Sequence, residues 1–147
     1  MRLYGKKLER IYAGQDLDPI LESTRKKVEF FGPTEFPVIN QYTHNEVTHC
    51  LTRKDLTEAC KKNKFYVRKA YLRKIIPIPE SSVTKEKILE FTQRHRSRSF
   101  FVIKDNANPK KLSFSDLIAQ ITPYNIVDMF CGIKYPEDYP YKIEVKR

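Results

Sequence analysis

Apolar positions fall along this chain in short bursts, and their spacing changes from one segment to the next. Over residues 1–12, Leu3, Leu8, Ile11 and Tyr12 stand among Arg2, Lys6, Lys7 and Arg10, which predicts a short amphipathic helix ending before Gly14. Asp18-Pro19 starts a second helix through about Phe30, because proline is preorganised for a first helical turn, and Gly32-Pro33 stops it. Residues 36–40 read as a short strand, which Pro37 relegates to an edge or a strand start. Thr52, with Asp55 three residues on, caps a helix running to about Lys62. In residues 65–76 aromatic and β-branched side chains favour a strand, although Val67, Tyr71 and Ile75 also share a helical spacing. Pro77 and Pro79 force an extended exit from it.

The second half is easier to read. Ile88, Leu89 and Phe91 give residues 84–93 the apolar side of a helix, and the run Ser-Phe-Phe-Val-Ile-Lys at 99–104 is a buried strand. Residues 105–109 are a turn by their Asn, Asp and Pro content. Ser113, with Asp116 three positions later, caps a further helix that turns Leu117, Ile118 and Ile121 inward and ends before Pro123. Residues 125–133 suit either helix or strand. The tail, after two prolines, alternates as Tyr-Lys-Ile-Glu-Val-Lys in the manner of a strand. No internal repeat is evident. Helices and strands mix without regular alternation, which predicts one compact α+β domain over residues 1–147, a short mixed sheet with several helices.

Length and composition agree with one such domain: 147 residues, 40% of them hydrophobic, are enough for one core. No apolar run is long enough to span a bilayer, and no secretory leader opens the chain. Three cysteines, Cys50, Cys60 and Cys131, cannot build a disulfide framework and point to a reducing intracellular compartment, cytoplasm or organelle matrix.

Charge changes the picture more. The net +10 falls entirely within residues 53–104, while the arms 1–52 and 105–147 are neutral. Arg53, Lys54, Lys61, Lys62, Lys64, Arg68, Lys69, Arg73 and Lys74 oppose only Asp55 and Glu58, and Arg94, Arg96 and Arg98 extend the run. A positive face of this kind meets an anionic partner. Guanidinium groups suit phosphate, and Tyr66 inside the run could stack on an unpaired base. The expectation is therefore a non-enzymatic nucleic-acid-binding protein, RNA before DNA, acting with protein neighbours in a ribonucleoprotein such as a ribosome-like particle. The nucleic-acid contacts expected are those twelve cations and Tyr66, with no cofactor and no metal.

Three other constellations compete. His44, His49, Cys50 and Cys60 are zinc-ligand types, but their spacing fits neither a knuckle nor a ribbon. Asp138, Glu144 and Lys146 carry the groups of a metal-dependent nuclease, although on a strand Glu144 and Lys146 are an exposed pair. A structural module binding anionic lipid or an acidic protein is the third alternative.

Overall fold

The structure, a computed structural model, describes residues 1–12, 34–40, 45–61 and 72–147. In chain order the strands are β1 (Arg2–Tyr4), β2 (Ile11–Tyr12), β3 (Glu35–Asn40), β4 (Glu46–Thr52), β5 (Arg73–Lys74), β6 (Pro77–Pro79), β7 (Phe100–Ile103), β8 (Leu117–Ile121) and β9 (Lys142–Glu144). The helices are α1 (Arg53–Lys61), α2 (Lys85–Arg94) and α3 (Pro123–Phe130). The class is α+β, with sheets ordered β2-β3-β4-β5 and β6-β7-β8 and a ribbon of β1 with β9.

The two larger sheets are copies of one motif. In each, a short strand runs parallel to a second, which pairs antiparallel with a third, and the third leads to a threonine that caps a helix. The registers superpose residue for residue. Phe36 faces Leu51 as Phe100 faces Ile121, and Val38 faces His49 as Val102 faces Ala119. A bulge falls between Val38 and Ile39 in one sheet and between Val102 and Ile103 in the other. Thr52 and Thr122 occupy matching positions at the helix starts, and each hydroxyl accepts an N–H from three residues on, at Asp55 and Asn125.

The core repeats with the backbone. Ile11, Phe36, Leu51 and Leu56 form one buried cluster. Their counterparts Ile78, Phe100, Ile121 and Ile126 sit in a larger cluster with Leu3, Ile88 and Ile143. Each of these side chains stabilises the fold by roughly 1.5–3 kcal/mol through removal from water. A third cluster joins the repeats: Ile39 and Val47 of the first pack with Ile103 and Leu117 of the second.

The repeats also exchange edges. β5, which leads into the second repeat, pairs with β4 of the first, Arg73 opposite Cys50. Lys6, which leads into the first repeat, pairs with Gln120 of β8, the counterpart of Cys50. Gly5 makes that crossing feasible, because a Cβ there would stand 2.7 Å from the Gln120 carbonyl oxygen.

Several sequence expectations change here. Residues 1–12 form two short strands instead of a helix, since Leu3 pairs opposite Ile143 and Ile11 beside Val38. Pro37 lies in a central strand, tolerated because β2 reaches only Val38 and Ile39 and makes no ladder bond at Pro37. The capping box at Ser113 and Asp116 is present, but it starts a single 3₁₀ turn, after which 117–121 runs as β8. Pro123 opens α3 at its first turn instead of merely following a helix. The predicted helix from Pro19 to about Phe30, and most of 65–76, lie outside the described residues.

Candidate functional site

Where the two repeats meet, the polar side chains that the second and third strands could not place in the apolar clusters come together. Thr34 precedes β3 and Glu35 opens it, and Arg98 and Ser99 precede β7 at the matching positions of the other repeat. The Thr34 and Ser99 hydroxyls bond at 2.6 Å. Glu35 is buried. Its Oε1 accepts from Arg98 Nη2 at 3.0 Å, and its Oε2 accepts from Arg98 Nε at 3.2 Å and from the Ser99 N–H. The Cys50 thiol donates to the same Oε1 at 3.0 Å. Gln120 completes the cluster from β8: its Oε1 accepts the Thr34 and Glu35 N–H groups, and its Nε2 donates to the Glu35 carbonyl.

Electrostatics follow from this burial. Burial, reinforced by the Glu35 charge, pushes the Cys50 thiol far above the ordinary cysteine value. Burial alone would lower the Arg98 guanidinium, but its hydrogen bonds to Glu35 outweigh that and hold it above its usual value. A bidentate, nearly enclosed Arg–Glu pair with every carboxylate lone pair satisfied is strong because the surrounding dielectric is low.

An accessible ion pair borders the cluster. Arg98 Nη2 also donates to the Lys74 carbonyl at 2.9 Å, and the Cys50 thiol approaches the Arg73 carbonyl at 3.6 Å. From that strand the exposed Arg73 Nε reaches Asp55 Oδ2 at 3.3 Å, in the first turn of α1. The matching position of the second repeat, Asn125, is used differently. It is buried, and its Oδ1 accepts both the N–H and the hydroxyl of Thr122 at 2.9 Å.

The expected contact residues are thus separated by environment. Arg98 turns inward to Glu35, away from any surface partner. Arg73 pairs with Asp55, and Arg94 with Glu90 at 3.7 Å, one helical turn back. Arg53 is half-buried at the start of α1, while Lys54, Lys74 and Arg96 are exposed. Lys61 closes α1. Lys62, Lys64, Tyr66, Arg68 and Lys69 lie outside the described residues, as does His44. His49 lies half-buried on β4, and Cys50 is fully buried and bonded to Glu35. Among the described residues, no three His, Cys, Asp or Glu side chains gather as a metal site. The carboxylates of the nuclease alternative do not converge: Glu144 bonds Arg2 at 2.6 Å, and Asp138 stands exposed in the preceding turn. Glu35, Gln120 and Ser99 went unread in the sequence because isolated polar residues beside apolar runs carry no motif.

No family model matches the chain, and no curated protein matches it. Solved structures do. The Staphylococcus aureus protein OpuCA matches with a TM-score of 0.58 at 16% identity, covering 90% of this chain and 99% of that one. A CBS-domain pair with bound AMP from Klebsiella pneumoniae matches with a TM-score of 0.58 at 12% identity, over 88% and 94% of the two chains. The CBS-domain pair of protein MJ0100, in complex with 5′-methylthioadenosine and S-adenosyl-L-methionine, gives 0.58 at 12%, over 89% and 94%. These likenesses overturn the expectation of an RNA-binding component of a ribonucleoprotein, together with its nuclease and lipid- or protein-binding alternatives and its nucleic-acid and assembly partners. Among the described residues no helix is long and apolar enough to cross a membrane. The duplicated strands, the shared helix caps and the exchanged edges are the fold of a CBS-domain pair.

Proposed function

We propose that this chain is a regulatory module that binds an adenosine-containing small molecule at the junction of its two repeats. The observation that carries this reading is the duplicated architecture, which it shares with CBS-domain pairs solved with AMP and with 5′-methylthioadenosine and S-adenosyl-L-methionine. The junction supplies suitable chemistry on its first-repeat side. Asp55 offers a carboxylate that can accept two ribose hydroxyls, the role acidic side chains take in dinucleotide folds. Arg73, beside it and exposed, offers a guanidinium to a phosphate or another anionic group. The second repeat offers no equivalent, because Asn125 is committed to capping its own helix. In this reading the concentration of cations in 53–104 draws an anionic nucleotide toward the junction instead of gripping a nucleic-acid backbone. With three cysteines, too few for a disulfide framework, an intracellular, reducing setting stays within the same proposal.

A thermal-shift panel tests it. AMP, 5′-methylthioadenosine and S-adenosyl-L-methionine should each raise the unfolding temperature if they bind, a ligand at a hundredfold its Kd stabilising by about 2.7 kcal/mol. Guanosine monophosphate and ribose 5-phosphate should do much less. Asp55→Ala should weaken the best adenosine ligand about tenfold, the loss of roughly 1.4 kcal/mol of hydrogen bonding. No shift with any adenosine compound would refute the proposal.

A further inference from the structure

Among the described residues six large apolar side chains stand exposed. Four of them, Tyr124, Val127, Phe130 and Ile133, lie along α3 and the turn after it. The other two, Met1 at 58% and Leu89 at 45%, are far apart in sequence and line one cavity. Leu89 interrupts the charged outer face of α2, where Lys85, Glu86, Lys87 and Glu90 are exposed around it while Ile88 and Phe91 are buried. The chain beyond β9 supplies the opposite wall. The Val145 N–H donates to the Met1 carbonyl at 2.9 Å, and the Lys146 N–H donates to the Val83 carbonyl at 2.8 Å, so residues 145–146 cross from β1 to the start of α2. The space between this crossing and α2 measures about 600 Å³. That volume lies inside the ~300–1,000 Å³ of small-molecule sites. None of the lining residues belongs to the Glu35–Arg98 cluster or to the Asp55–Arg73 pair.

We infer that this cavity binds an anionic amphiphile, a free medium-chain carboxylate, with its aliphatic chain on Met1, Leu89 and Val145. Charge selects the head group. Lys85, Lys146 and Arg147 line the cavity and are exposed, and among the described residues none of them is held in an ion pair. Glu86 is the one acid of the lining. The Asp105 carboxylate, which feels Lys146, is already bound to the Ser81 N–H at 2.9 Å. Three cations against one lining acid leave the rim positive, which attracts a carboxylate and repels an ammonium head. The walls select the tail. Met1, Leu89 and Val145 offer a compact, hydrophilic anion nothing to bury, whereas an alkyl chain leaves water on them and on the lysine methylenes. A chain of about ten carbons is small enough for a cavity of this class. Because the apolar residues line a recess and not a protruding face, a single molecule fits them better than a bilayer surface does.

Amide NMR titration of the isotope-labelled full chain with decanoate tests this. Decanoate should shift residues 84–89 and 145–147 with a Kd on the order of 0.1 mM. Octanoate should bind roughly tenfold more weakly, since each fully buried methylene counts about fourfold. Decyltrimethylammonium, with the same chain and a cationic head, should leave these amides unshifted. Leu89→Gln should weaken decanoate about tenfold, and Lys85→Gln combined with Lys146→Gln by a similar factor. All three side chains are exposed, so far-UV circular dichroism should stay at the wild-type signal. Decanoate binding that ignores chain length, head-group charge or these substitutions would overturn the inference, and so would shifts centred on α3. Displacement of decanoate by AMP would move it to the junction of the repeats and overturn it too. Co-sedimentation with phosphatidylglycerol vesicles in the absence of decanoate binding would give these residues to a lipid surface, which also overturns it.

Discussion

Replacing Arg98 with Met would leave the Glu35 carboxylate enclosed without its counter-charge, since the Glu35 side chain is only 2% exposed. Removing one partner of such a pair costs about 3–5 kcal/mol, and the 19% exposure of Arg98 places this case near the lower figure. Glu35→Gln together with Arg98→Met should cost clearly less than the sum of the two single changes. Urea denaturation of all four proteins measures this coupling, and strictly additive losses would contradict it. The same cluster sets a pH dependence through Cys50. Its thiol is raised by burial in the folded state, so the native form keeps its proton where the unfolded chain loses it. This contribution is fully present below the unfolded thiol's pKa of about 8.5 and is lost as pH rises above it, by about 1.4 kcal/mol per pH unit. Cys50→Ala should therefore show a shallower loss of stability between about pH 8.5 and 10 than the wild type. Equal slopes would show that the thiol is not held in its neutral form.

Single elements show which kinds of information the sequence carried. The strand at 100–103 was legible because four consecutive apolar residues bounded by polar ones can only be buried on both faces, and all four are. The helix at 85–94 was legible from its apolar spacing and from Thr84, whose hydroxyl accepts the Lys87 N–H at 3.0 Å. The segment 117–121 was misread because its capping box is real and its spacing suits a helix, while the decisive fact, pairing with β7, is a contact between distant residues. β1 and β2 were misread for the same reason, being strands of three and two residues with no local pattern. The α3 cap offers a direct check. Thr122→Ala removes the acceptor for the Asn125 N–H and a donor to Asn125 Oδ1, at a buried helix start. It should lower stability by about 1–2 kcal/mol in chemical denaturation. A loss under a few tenths would mean that the capping box does not hold the helix.

At the scale of the whole molecule, duplication is the organising fact, and it was invisible in the sequence. What the repeats share is a handful of positions, Ile11 with Ile78, Phe36 with Phe100, Leu51 with Ile121 and Thr52 with Thr122, separated by segments of unequal length. Only the strand registers align them. The candidate site was legible in one respect, the excess of cations in 53–104, and misleading in another. Reading those cations as a continuous surface assumed that all of them face water. Arg98 is spent on a carboxylate 63 positions away, whereas Arg73 stays exposed while it bonds Asp55, and no local window contains either pairing. The residues that join the repeats, Glu35, Ser99 and Gln120, are single polar residues whose meaning arises only when two sheets meet. Hydrogen–deuterium exchange of the full chain, with and without AMP, tests the central claim that this junction is a ligand site. AMP should slow exchange in residues 50–56, 73–76 and 98–101, leave α2 unchanged, and lose this effect in Asp55→Ala. Exchange that AMP leaves untouched, or slows only in α2 and β9, would contradict it.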